Sequence, residues 1–183
     1  MRRAGGLWPE LTSTGHLFEA AHAAAKGERF RPDVAAFLLD LEREVLALRR
    51  ELLDGTYRPG AYRTFLVREP KLRMISAAPF RDRVVHHALT RVLEPVFEPR
   101  FASASCAWRR GLGTGAARLR AREAFARFPF VLKCDVAKYF ASIDHAVLKA
   151  LLARAVKCAP PLDLAGKVID GSHPQEETAR YFP

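Results

Sequence analysis

Asp135 closes a short apolar run, Phe130-Val131-Leu132, and is followed by Val136-Ala137-Lys138-Tyr139-Phe140 and then Ser142-Ile143-Asp144-His145. The β-branched and aromatic run after Pro129 predicts a buried strand, which would deliver the Asp135 carboxylate into a cleft. An ionised carboxylate placed there needs a cation or hydrogen-bond donors to offset its desolvation. Magnesium, a hard ion that takes oxygen ligands, suits it. The alternative is a turn or helix-capping aspartate at a strand end of some other α/β protein. Two further groups of residues fit phosphate chemistry. Arg68, Lys71 and Arg73 cluster at the tip of a predicted hairpin, where they either reach a phosphate chain or stand in solvent. Arg109-Arg110 precedes glycines 111, 113 and 115, which build either an anion-binding loop of exposed amides or a plain connection. Neither a P-loop nor a dinucleotide fingerprint is present, because the Gly-Lys-Ser/Thr ending and the third spaced glycine are missing.

The elements that would position these residues are mostly helical. A helix is predicted from about Thr14 to Ala25, with His16 and His22 as surface or half-buried side chains. Val34, Phe37, Leu38, Leu41, Val45, Leu48 and Leu52 recur at three- and four-residue steps, predicting one amphipathic helix over 33–53 that Asp54-Gly55 ends. Residues 62–67 and 72–76 alternate as a hairpin around Arg68-Glu69-Pro70-Lys71. Val84, Val85, Ala88, Leu89, Val92 and Leu93 mark another helix, with Glu94-Pro95 as its end. His86 and His87 are adjacent, so they point about 100 degrees apart and do not chelate. A short Ala/Arg helix over 116–128 spreads Arg118, Arg120, Arg122 and Arg127 around its surface.

Composition narrows the function class. The 183 residues are 49% hydrophobic and 27% charged, enough for a core of one domain or two small ones. No apolar stretch reaches a membrane span and the start lacks a secretory h-region, so a cytoplasmic protein without membrane attachment is expected. Cys106, Cys134 and Cys158 are too dispersed for a disulfide framework or a zinc site. Thirty basic against twenty acidic residues leave a net charge of +10, and residues 1–128 hold 23 basic and 14 acidic. That surplus predicts a polyanionic partner bound in a salt-dependent way.

Taken in order, the segments resemble the fingers and early palm of bacterial reverse transcriptases, the group that includes group II intron, retron and diversity-generating retroelement enzymes. The resemblance spans roughly residues 7–171. It runs through Leu17-Phe18-Glu19-Ala20, Lys71-x-Arg73, Phe80-Arg81-Asp82-Arg83-Val84-Val85-His86-His87-Ala88-Leu89 and Leu93-Glu94-Pro95-x-Phe97-Glu98. Ser105-x-Ala107-x-Arg109-x-Gly111-x-Gly113-Thr114 and the Asp135 motif complete it. The Ser-x-Ala-x-Arg and Val-Leu-Lys-Cys-Asp phrases lean toward the diversity-generating branch, and Ala141 stands where intron-type relatives often carry an Asp.

The resemblance implies an α+β fold: helical fingers with a small antiparallel hairpin over 7–128, then the first strand and helix of an incomplete palm over 129–183. It implies an RNA-directed DNA polymerase acting on an RNA template and a DNA or RNA primer with deoxynucleoside triphosphates. Asp135 and the Val136 carbonyl would bind two magnesium ions jointly with a later Asp pair. Lys71, Arg73 and Arg109 would meet the incoming triphosphate and Phe140 would exclude a ribose 2′-hydroxyl. Asp144, nine residues from Asp135, matches a family position, but helix N-capping is its expected duty. No aromatic-x-Asp-Asp occurs in the sequence, and Asp163, Asp170, Glu176 and Glu177 are the remaining candidates for a second carboxylate. The expectation is a chain that does not polymerise alone, whose palm and thumb reside in a missing polypeptide or an accessory protein. Residues 129–183, lacking sheet partners, are expected to be poorly ordered or to associate with another chain. A non-catalytic nucleic-acid-binding module descended from such an enzyme stays open beside the polymerase.

Overall fold

A computed structural model describes residues 3–68, 70, 72–136 and 139–171, with the backbone alone at Arg73 and Ala141. The fold is α+β, as the sequence predicts. Its core is built first by α1 (Leu7–Leu11) and α2 (Thr14–Ala24), where Ser13 caps α2 by accepting the His16 amide through its side chain. Leu17, Ala20, Ala21 and Ala24 of α2 are buried, and α2 packs most extensively on α5 (Phe80–Phe97) through Val84, Val85, Ala88 and Leu89. Small alanines on α2 let the two helices approach closely.

The helix predicted over 33–53 is two helices, α3 (Pro32–Leu39) and α4 (Leu41–Leu53). Asp40 breaks the path at φ −122°, ψ 37°, and its carboxylate pairs with Arg43 at 2.7 Å. The break has a packing reason. Val34 and Phe37 bury against α5, with Phe37 meeting Phe80 edge-to-face at 5.1 Å, whereas Val45, Leu48 and Leu52 belong to the layer that α4 makes with α2. At the far end Gly55, at φ 69°, takes the left-handed conformation that closes α4.

Strands β1 (Arg63–Arg68) and β2 (Leu72–Ala77) form the expected antiparallel hairpin, with Arg63 opposite Ala77, Phe65 opposite Ile75 and Arg68 opposite Leu72. Helix α5 does not stop before Pro95; it runs through it to Phe97. Pro95 lies in the last turn, so only one backbone hydrogen bond is forfeited, and Val96 beyond it is buried against Ala155 and Val156.

Helix α6 (Thr114–Arg127) buries none of its residues. The strand expected at Phe130–Leu132 is not formed. Phe130 and Leu132 are 90% and 86% exposed and the segment joins no ladder, because a strand needs a hydrogen-bonding neighbour and β1–β2 pairs only with itself. Past it come α7 (His145–Ala155) and α8 (Ala159–Asp170). Leu164 and Ala165 join the main core, Lys167 Nζ donates to the carbonyls of Gly55 and Tyr57, and Ala4 makes a parallel bridge with Val156. Helix α6 ends at Arg127, and α8 packs back on α1 and α5.

Candidate functional site

Asp135 is exposed, and its Oδ1 accepts the amide of its own neighbour Val136 at 3.0 Å. Among the described residues no group of three or more His, Cys, Asp or Glu side chains converges as a metal site. Of the other carboxylates, Asp170 is paired with Lys149 at 2.8 Å, Asp163 lies on α8, and Glu176 and Glu177 fall outside the described residues. Magnesium demands near-octahedral oxygen coordination. One exposed carboxylate and one backbone carbonyl do not supply it, so the residues present do not fit the two ions the resemblance implies.

Phe140 sits in a 3₁₀ turn, Tyr139–Ser142, five residues past Asp135, and is 85% exposed, with its ring edge-on to Tyr139 at 5.3 Å. Asp144 is the N-cap of α7, its side chain accepting the Val147 amide at 3.0 Å, as the sequence suggests.

Of the phosphate-facing candidates, Arg109 is the one whose side chain is described, and its contacts are not with Asp135. Lys71 lies outside the described residues. Arg73 stands on β2 in register with Val67 of β1. Arg109 is held elsewhere: its Nε and Nη2 both meet Glu98 Oε1 at 2.8 Å, and its Nη1 donates to the carbonyls of Ala102 (3.0 Å) and Ser105 (3.1 Å). With the guanidinium also over the Phe101 ring, Arg109 is only 14% exposed and organises the loop from Glu98 to Arg109. Arg120 extends this arrangement by donating to Ser103 O at 2.6 Å. The glycine loop leads through Gly113, at φ 121°, directly into α6.

One buried polar cluster escaped the sequence reading. Asp82, 2% exposed, accepts the Tyr57 hydroxyl at 2.8 Å and the Gly60 amide at 2.7 Å. Burial and the adjacent Asp82 carboxylate push the Tyr57 phenol far above its ordinary value of 10.0. Arg81 and Arg83 flank it, Arg81 lying over the Tyr57 ring and pairing with Glu51 at 2.7 Å, and Arg83 pairing with Glu28. The available signal was periodicity: Asp82, Val85, Leu89, Val92 and Val96 share one stripe of α5, and a carboxylate on an apolar stripe needs local donors.

No family model matches the chain. Curated relatives do. Nuclear intron maturase 2, mitochondrial, of Arabidopsis thaliana is 25% identical over 163 residues, covering 75% of this chain and 22% of the relative. The group II intron-encoded protein LtrA of Lactococcus lactis subsp. cremoris is 25% identical over 119 residues, covering 63% and 20%. This chain is a reverse-transcriptase-like relative of intron-encoded proteins. Protein YkfC of Escherichia coli K12 is 29% identical over 137 residues, covering 71% of this chain and 36% of the relative. The chain therefore spans 20 to 36% of the length of these three relatives. The two whose names state a type are intron proteins, which gives the leaning toward the diversity-generating branch no support.

Proposed function

We propose that this chain is the fingers and first palm segment of an RNA-directed DNA polymerase, and that alone it binds nucleic acid without extending a primer. The observation that carries the reading is the 163-residue match to an intron maturase, which takes in most of the described fold. The charge surplus supports an RNA template as partner, with a DNA or RNA primer and deoxynucleoside triphosphates in the assembled enzyme. Asp135 would act as one carboxylate of a metal centre only alongside further carboxylates, which the described residues do not bring to it. Lys71, Arg73 and Arg109 face the triphosphate and Phe140 the sugar once the segments close, which for Arg109 requires release from Glu98.

A second reading, a non-catalytic RNA-binding module, is favoured by one observation: two of the named relatives are intron proteins, one of them called a maturase. Primer extension separates the readings. The purified 183-residue chain with an RNA template, primer, magnesium and deoxynucleotides should incorporate nothing, and sustained incorporation would overturn the proposal. Joined to a downstream segment bearing an aromatic-x-Asp-Asp, the polymerase reading expects extension that Asp135→Ala abolishes while template binding is retained. Absence of extension from that assembly favours the RNA-binding module.

A further inference from the structure

The β1–β2 hairpin is an arm with little support of its own. Neither strand lies along a helix, and both of its faces carry exposed apolar side chains, Phe65 and Ile75 on one, Leu66 and Leu72 on the other. Among the described residues it joins the helical core through its two legs. Those legs, residues 57–62 entering and 77–79 leaving, meet at Asp82. The Asp82 carboxylate takes the Tyr57 hydroxyl on one oxygen and the Gly60 amide on the other, both from the entering leg. The leaving leg closes on the same point. Gly60 lies so near Pro79 that an added Cβ would stand 3.1 Å from the Pro79 ring and 3.3 Å from Asp82 Oδ2. Below this point the chain is fixed: Lys167 and Arg58 both donate to the carbonyls of Gly55 and Tyr57. Beside it lies an open cleft of about 540 Å³ between the start of α3 and the base of the arm, lined by Arg31, Asp33, Ala61, Arg63 and Ala77.

We infer that Asp82, with Tyr57 and Gly60, is the anchor of a hinge that sets the attitude of the β1–β2 arm over that cleft. A buried carboxylate that holds the entering leg at two points, with Pro79 of the leaving leg packed against Gly60, resists rotation there, while the hairpin above it is held by its own ladder. Asp82 is a positioning residue: it acts through the arm and touches no ligand. The inference is independent of the polymerase reading, since it concerns the angle between arm and core whatever the arm binds.

Spin labels at Leu66 on the arm and Ala47 on α4, in a background with the three cysteines replaced by serine, report the arm-to-core distance by electron–electron resonance. The reference chain should give one narrow distribution. Tyr57→Phe, which keeps the ring, and Asp82→Asn should each broaden it about twofold or split it, with helical content retained. A second label pair on α2 and α5 should stay narrow in all three proteins. Unchanged distributions in both variants, or an equally broad one in the reference chain, would overturn the hinge. Broadening of the α2–α5 pair in both variants would also sink it, because Asp82 would then be a core group and not an anchor.

Discussion

At the scale of single residues, side chains that look alike in the sequence do different work. Asp82, Asp135 and Asp144 are all aspartates, yet one is buried and doubly hydrogen-bonded, one is exposed and one is a helix cap. The cap is the simplest to test. Asp144→Ala removes the acceptor for the Val147 amide and should lower stability by about 1 kcal/mol in urea unfolding, whereas Asp144→Asn should change little. His86 gives a pH dependence. Burial, with His87 and Arg83 adding repulsion against Asp82's opposing pull, holds its pKa below the ordinary 6.5. The folded state favours the neutral ring, so this contribution is intact above pH 6.5 and is lost as pH falls below it, where the unfolded chain binds the proton first. Melting temperatures measured from pH 7.5 down to 5 should fall less steeply in His86→Leu than in the parent; identical slopes would show that His86 does not matter. Arg109 carries a similar lesson in reverse: a guanidinium that the resemblance aims at phosphate is engaged by Glu98 and two carbonyls.

At the scale of elements, what was legible depended on how local the cause was. The start of α2 at Ser13, the close of α4 at Gly55, the hairpin and the Asp144 cap follow from neighbouring residues, and sequence placed them within a residue or two. The break at Asp40 did not show, because its hydrophobic spacing continues unbroken and only the separate partners of α3 and α4 require the chain to turn. The passage of α5 through Pro95 was hidden for a related reason, since the pull comes from Val156, sixty residues on. Phe130–Leu132 shows the opposite error: strand propensity is present but the ladder that would realise it is not. Within α4 the two-sided character predicts a sharp contrast. Leu48→Ala, at a fully buried position, should cost about 2 to 5 kcal/mol, whereas Leu46→Ala, on the exposed side, should stay within about 0.5 kcal/mol, both read by chemical denaturation. Comparable losses at the two sites would mean that α4 is packed on both faces.

At the scale of the whole molecule, arginines without acidic partners and exposed apolar side chains come together on α6. Many arginines on the surface of the helical body are matched to acids, among them Arg31, Arg43, Arg81, Arg83, Arg91 and Arg109. Arg118 and Arg122 on α6 carry no acidic partner among the described residues and line one open face with Leu119 and Phe125. Next in sequence come Phe128, Phe130, Val131 and Leu132, all exposed. No helix among the described residues is long and apolar enough to cross a membrane, so this surface is not explained as a span. Apolar patches of this extent are normally covered by protein, and an unpaired extended edge invites self-pairing; Leu132→Lys should therefore reduce concentration-dependent association in sedimentation velocity. The arginines make a separable contribution. Binding of a single-stranded RNA should weaken with salt along a log–log line, and each phosphate that the protein no longer neutralises should flatten its slope by about 0.7. Arg118→Ala with Arg122→Ala should flatten that slope, while Leu132→Lys should leave it unchanged or steepen it. Asp135→Ala, which removes a negative charge from an exposed position, should not weaken RNA binding. If the arginine pair leaves the slope unaltered, the polyanion is met elsewhere, and the hairpin residues Arg63 and Arg68 become the next positions to replace.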